Sequence, residues 1–190
     1  MLGIIKRNFK YLDQITFNML YKSLVRSHLE YASSVWNPYK KGLINEIEKV
    51  QRRATKLIQN IKKLSYIDRL TYLKLPTLKY RRFRGDMIET FKIINNKYDK
   101  LIVPDLEINK LNLTRGHSYK LIVHRSKHDM RKYSFSVRIS SIWNNLSEKV
   151  VKSKTINDFK NNLDEHWKNQ DILYNFESQF TNSGGVPIGF

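Results

Sequence analysis

Apolar positions along the chain fall mostly at spacings of three and four, the period of a helix that buries one side. Phe17, Tyr21, Leu24, His28, Ala32 and Val35 mark one such stripe, and Ile47, Val50, Ala54, Leu57, Ile58 and Ile61 mark a second. Between them stands Trp36-Asn37-Pro38-Tyr39. Proline lacks the amide proton a helix interior requires and pushes its predecessor out of the helical region, so this tetrapeptide is expected to be a corner. Two helices joined so tightly are expected to pack antiparallel with their stripes facing. At about 100° per residue, Lys49, Arg52 and Lys56 point away from the second stripe and Arg53 flanks it. One side makes core and the other is a row of cations.

Leu2 to Lys10 reads as a short helix that opens without a capping residue, as the end of an element begun further upstream would. Asp13 suits the N-cap of the long arm, and Ser65 that of a short helix running to Leu73, ahead of Leu75-Pro76. Thr77 opens the next long helix, with Tyr80, Phe83, Met87, Phe91 and Ile94 as its stripe. Its first turns carry Lys79, Arg81, Arg82 and Arg84. Cations there oppose the helix dipole by roughly 0.3–1 kcal/mol each, so a phosphate backbone is the expected reason for them. Arg84 lies nearer the stripe and reads as a structural cation paired with Asp86 or with a carboxylate of another helix.

From Asn95 to Asn112 the periodicity fades, and Val103-Pro104-Asp105 marks a linker. Ser118 to His124 and Arg131 to Phe135 are short runs of β-branched and aromatic residues that read as a small hairpin. Helical spacing returns with Phe135, Val137, Ile139, Ile142, Trp143 and Leu146, then with Ile156, Phe159, Leu163 and Trp167, where Thr155 suits a cap. The tail after Asp171, with Ser183-Gly184-Gly185, is expected to fray. The pattern therefore gives a mainly α chain: a helical bundle over 1–97, a linker over 98–113, a β-hairpin plus helices over 114–170, and a frayed tail over 171–190.

Charge changes the picture most. The 190 residues hold 35 Lys and Arg against 17 Asp and Glu, a formal net charge of +18, which favours a polyanionic partner, nucleic acid first. Residues 1–100 carry 22 basic and 8 acidic side chains, and residues 101–190 carry 13 and 9, so the contact belongs mostly to the N-terminal half. Hydrophobic residues at 41% argue against wholesale disorder. No apolar run approaches the ~20 residues of a membrane span, and no leader peptide is apparent. The absence of cysteine removes thiolate chemistry and Cys-ligated zinc, and fits an intracellular setting, nucleus or cytoplasm.

Six strings then point to a family. LVRSHLEYASSVWNP (24–38), EKVQRRATKLI (48–58), YIDRLTYLKLPTLKYRRFRGDMIETFKI (66–93), TRGHSYKL (114–121), RKYSFSVRISSIWNNL (131–146) and VVKSKTINDFKNNLDEHW (150–167) stand in order over residues 2–168. Together they resemble the C-terminal part of the reverse transcriptase of non-LTR retrotransposons, of the LINE-type, jockey-like kind. The resemblance implies that the N-terminal half is a helical thumb closing on a template–primer duplex, followed by the family's C-terminal segment. It also implies a missing polymerase palm, whose paired aspartates bind magnesium, and a missing endonuclease; this chain contains no Asp-Asp pair. No polymerase activity is therefore expected of this chain alone, and no cofactor, magnesium belonging to the missing palm. A palm and fingers encoded upstream would be its protein partners.

The expected nucleic-acid contacts are Lys49, Arg52, Arg53, Lys56, Lys62, Lys63, Lys79, Arg81, Arg82 and Arg115. Each phosphate neutralised steepens the salt dependence of log affinity by about 0.9 for duplex DNA. Tyr31, Trp36 and Tyr39 either stack on bases or anchor the core, and nearness to the buried stripe favours the core. His28 reads as a core histidine. His117, His124 and His128 with Asp129 invite a metal reading, but the segment between His124 and His128 reads as a turn and no nearby cysteine or Glu-x-x-His helix completes a ligand set, and Thr114-Arg115-Gly116-His117 reads as a tight turn. Trp143 and Trp167 read as anchors for the C-terminal helices. Three roles fit: a module gripping RNA or an RNA–DNA duplex, a fragment of a polymerase with no separate role, and a protein-interaction domain meeting an acidic partner.

Overall fold

The computed structural model describes residues 1–99, 101–109, 116–181 and 187–188. They form a mainly helical chain whose strands are one two-residue antiparallel pair, Phe180–Thr181 (β1) and Pro187–Ile188 (β2), with Phe180 opposite Ile188. Two compact units result: residues 1–82 with 172–177, and residues 83–171 with 178–190. The expected boundary at 98–113 is not where the chain divides. The division falls inside the helix that spans Leu78–Ile94.

In the first unit α1 (Leu2–Asn8) precedes α2 (Gln14–Tyr21), which Asp13 caps by accepting the Thr16 amide at 3.1 Å. A π-helical turn, Lys22–Arg26, then leads into α3 (Ser27–Glu30). This turn explains where the first stripe departs from expectation. Phe17, Tyr21 and Val25 are buried and Leu29 packs partly against them, a constant spacing of four. Four residues of α-helix overshoot one turn by about 40°, and the wider i→i+5 turn takes up the excess. Leu24, His28, Ala32 and Val35, expected inside, are exposed.

The arm also stops early. Ala32 takes a left-handed conformation (φ 49°, ψ 30°), the short α4 (Ser33–Trp36) follows, and Asn37-Pro38 completes a corner that runs from Tyr31 to Tyr39. Next come α5 (Lys41–Thr55), a 3-10 turn at Gln59–Ile61 and α6 (Tyr66–Leu73). Ser65 caps α6, its hydroxyl accepting the Asp68 amide at 3.1 Å and donating to the Asp68 carboxylate at 2.6 Å. Ile5, Phe17, Tyr21, Val25, Ala54, Ile58, Ile61, Leu70, Leu73 and Leu75 form the core of this unit, each large side chain contributing roughly 1.5–3 kcal/mol.

Helix α6 ends in a Schellman motif: the Leu75 amide donates to the Leu70 carbonyl at 3.0 Å and the Lys74 amide to that of Thr71 at 3.1 Å. Lys74 occupies the left-handed position (φ 52°, ψ 42°) where a Cβ is disfavoured. Lys74→Gly is therefore expected to raise stability by about 0.5–1 kcal/mol, read as a higher urea midpoint at unchanged m-value. A lowered midpoint would show that the lysine side chain has a structural role.

Helix α7 (Leu78–Ile94) contributes its first turns to one unit and the rest to the other. Thr77 caps it as expected, accepting the Tyr80 amide at 3.1 Å. Thr77 also fixes the chain's C-terminal region: its hydroxyl donates to the Ile172 carbonyl at 2.7 Å and its amide to that of Leu173 at 2.9 Å. The expectation of a frayed tail from 171 is thus corrected over 171–181. Ile172 and Phe180 are buried, each reaching back to a different unit.

The second unit holds α8 (Asp129–Lys132), α9 (Phe135–Asn144), α10 (Glu148–Val151) and α11 (Ile156–His166), the last capped by Thr155. Its core is aromatic. Phe159 stacks on Phe91 at 4.3 Å and on Trp143 at 6.0 Å, and Trp167 lies 4.4 Å from Phe180, so both tryptophans anchor as expected. The hairpin expected over 118–135 is absent. Arg131 to Phe135 turns into α8 and the start of α9, and among the described residues the run 118–124 pairs only through an isolated bridge, Ile108 with Leu121. Side chains of α9 replace the second strand: Trp143 Nε1 donates to the Tyr119 carbonyl at 2.8 Å, and Asn144 brackets Leu121, accepting its amide and donating to its carbonyl at 2.8 Å each.

Candidate nucleic-acid interface

The site is built on α5, and its buried face is polar. Glu48, Gln51 and Thr55 are fully buried beside Ala54, although none of the three belongs to the apolar stripe. Each has a partner. Tyr21 donates to Gln51 Oε1 at 2.5 Å, Gln51 donates to the Pro76 carbonyl at 3.0 Å, and Arg69 Nε donates to Thr55 at 3.0 Å. The Glu48 carboxylate accepts from Tyr66 at 2.6 Å and from the Leu78 amide at 3.1 and 3.3 Å, so it sits at the N-terminus of α7, where the helix dipole favours an anion. Burial pushes its carboxyl above the usual range, while those hydrogen bonds and the charges of Arg82 and Arg52 pull it back. Burial likewise drives the Tyr21 and Tyr66 hydroxyls far above their ordinary values.

The ten expected contact residues separate into groups. Arg53, Lys56, Lys62 and Lys63 are exposed, and none of them makes an ion pair among the described residues. Lys49 is also on the surface but holds Glu46 at 2.5 Å. Arg52 is only partly exposed: its guanidinium lies over the rings of Tyr66 at 5.1 Å and Phe176 at 5.4 Å, a cation–π stack within the first unit. Arg52 and Arg53 have therefore exchanged the positions expected of them, because the polar Glu48 and Gln51 rotate the buried face of α5 toward Arg52.

The arginines at the start of α7 have partners within the chain. Arg81 forms a bidentate pair with Glu30 at 2.6 and 2.8 Å, and Arg82 is buried with its Nε donating to Asn37 Oδ1 at 3.0 Å. In the second unit Arg84 pairs bidentately with Asp164 at 2.6 and 2.7 Å. Glu30 and Asp164 thus offset the unfavourable dipole for Arg81 and Arg84, and Arg81 and Arg82 are engaged within the chain where phosphate contacts were expected. Lys79 is half-buried. Burial holds its ammonium below the usual lysine range, with the charges of Arg82 and Lys41 acting in the same direction. Arg115 lies outside the described residues.

What remains exposed lies along one edge of α5, interrupted by Glu46, whose carboxylate pairs with Lys49. At 100° per residue, Lys41, Lys49, Lys56 and Arg53 span roughly a 120° arc on the side opposite Gln51 and Ala54. Beyond the helix, Lys62 and Lys63 extend the same run, and no acidic residue occurs between Lys49 and Asp68. Last-turn cations here also suit the C-terminal end of the helix dipole.

The aromatic corner overturns its expected role. Tyr31, Trp36 and Tyr39 are not core anchors; they are 80%, 40% and 40% exposed. Sequence carried one sign of this, the absence of any acid between Glu30 and Glu46. His117 is buried, its Nε2 3.0 Å from the Trp143 carbonyl, and burial holds its imidazole below the ordinary range. His124 instead faces Glu107 at 3.5 Å, and among the described residues no group of three or more His, Cys, Asp or Glu is placed to hold a metal ion. No helix among the described residues is long and apolar enough to cross a membrane. No family model, curated protein or solved structure matches the chain.

Proposed function

We propose that this chain is an RNA-binding module, the thumb and following segment of a non-LTR retrotransposon reverse transcriptase, that grips RNA or an RNA–DNA duplex while synthesis takes place on other parts of the polymerase. The observation that carries the reading is the exposed cation set Arg53, Lys56, Lys62 and Lys63, without an acid beside it and without an ion pair among the described residues. It belongs to a unit holding 18 basic and 6 acidic side chains, a net charge of +12. Such a surface attracts phosphodiester strands and releases their counterions on contact. The six strings quoted above supply the family half of the reading and the intracellular setting it entails.

Competition separates this role from docking of an acidic protein. Labelled RNA bound to the purified chain is expected to be displaced by unlabelled RNA at concentrations where polyglutamate of equal charge has no effect. Equal displacement by polyglutamate would overturn the assignment, because a surface that senses only charge density is not selecting a nucleic acid.

A further inference from the structure

Resting on that reading, we infer that the corner from Tyr31 to Tyr39 is a stacking platform for unpaired nucleobases, so the module holds a single-stranded stretch beside the strand bound along α5. Three aromatic rings and Val35, itself 83% exposed, crowd nine residues, whereas large exposed aromatics are ordinarily spent on core. Every base offers a π-face, so such rings bind single strands with little sequence preference.

The corner is held rather than merely exposed. Trp36 Nε1 donates to the Tyr31 carbonyl at 2.6 Å, closing the first part of the corner across the left-handed Ala32. Consecutive arginines of α7 clamp it on both sides: Arg81 grips Glu30, the residue before Tyr31, and Arg82 grips Asn37, the residue before Pro38. The Trp36 ring, so held, loses little freedom when a base stacks on it. Arg81 and Arg82 are thus positioning residues for the platform.

Charge complementarity selects the occupant. Lys40 and Lys41 adjoin the rings, with Lys40 Nζ 6.0 Å from the Tyr39 ring centroid. From there α5 runs about 21 Å, past the Glu46–Lys49 pair, to Arg53 and Lys56, a path for a phosphate backbone whose bases end on the corner. A duplex keeps its bases paired and has nothing to place on these rings except its ends.

Trp36 is its own reporter, because the two other tryptophans, Trp143 and Trp167, are buried. Titrating the full chain with an unstructured RNA strand is expected to quench Trp36 emission, whereas the same strand annealed to its complement quenches far less. Trp36→Ala is expected to weaken single-strand binding by about tenfold or more and leave duplex binding unchanged. Trp36→Phe restores most of the loss, since the ring matters and the indole hydrogen bond only positions it. Unmoved Trp36 emission at saturating single strand, or wild-type affinity of Trp36→Ala, overturns the platform; if salt-sensitive RNA binding persists, the reading it rests on survives. Failure of the chain to bind either RNA form at low salt overturns both.

Discussion

Asp86→Ala is expected to destabilise the chain by about 3–5 kcal/mol, the cost of leaving a buried guanidinium without its carboxylate. Arg138 donates from Nε to Asp86 Oδ2 at 3.0 Å and from Nη2 to Oδ1 at 3.1 Å, with both residues buried. Arg138 also donates to the Tyr133 carbonyl at 3.2 Å and covers the Phe135 ring at 5.5 Å, so it has no route to water when the carboxylate is lost. The pair joins α7 to α9 and is one reason the later turns of α7 belong to the second unit. Urea denaturation followed by tryptophan emission measures the loss. The sign of the double variant is the sharper test: Asp86→Ala with Arg138→Met removes the stranded charge and is expected to be more stable than Asp86→Ala alone. A double variant less stable than the single would show that the arginine contributes chiefly by packing.

Replacing Arg53, Lys56, Lys62 and Lys63 together with alanine is expected to lower RNA affinity on the order of 10³-fold at 0.1 M salt and to shrink the log–log salt slope by about 3. The estimate follows from four phosphate contacts at roughly 0.7 per contact for single strands and 0.9 for duplex. Stability is expected to change by no more than about 1 kcal/mol, because the side chains are exposed and their only internal benefit is to the C-terminal dipole of α5. Arg81→Ala makes the contrasting control. It breaks a bidentate pair with Glu30 and so lowers stability, yet it leaves the salt slope near that of the parent chain. A four-alanine variant with an unchanged slope would remove the cationic edge from the account of binding.

Much of the local structure was legible because it depends on neighbours within a few residues. Asp13, Ser65, Thr77 and Thr155 cap the helices they were expected to cap, since a cap is made between residues three apart. Arg84, read as a structural cation paired with Asp86 or with a carboxylate of another helix, pairs with Asp164 of α11. The candidate site was legible only in part. Arg53, Lys56, Lys62 and Lys63 stand exposed as read, whereas Arg52, Arg81 and Arg82 do not, and the difference lies in partners distant along the chain: Tyr66 and Phe176, Glu30, Asn37.

By itself, then, the sequence determined the mainly helical character, the caps, the tryptophan anchors and the concentration of positive charge toward the N-terminal half. Each follows from periodicity, from short-range hydrogen bonding or from composition. Tertiary structure alone decided which polar residues go inside, as with Glu48 at the start of α7, and which aromatics stay outside, as with Tyr31, Trp36 and Tyr39. It also turned the stretch expected to be a hairpin into a segment held by Trp143 and Asn144. The physical reason is the same throughout: a buried polar group or an unpaired strand is tolerated only where a remote donor or acceptor satisfies it, and such a partner leaves no trace in local spacing.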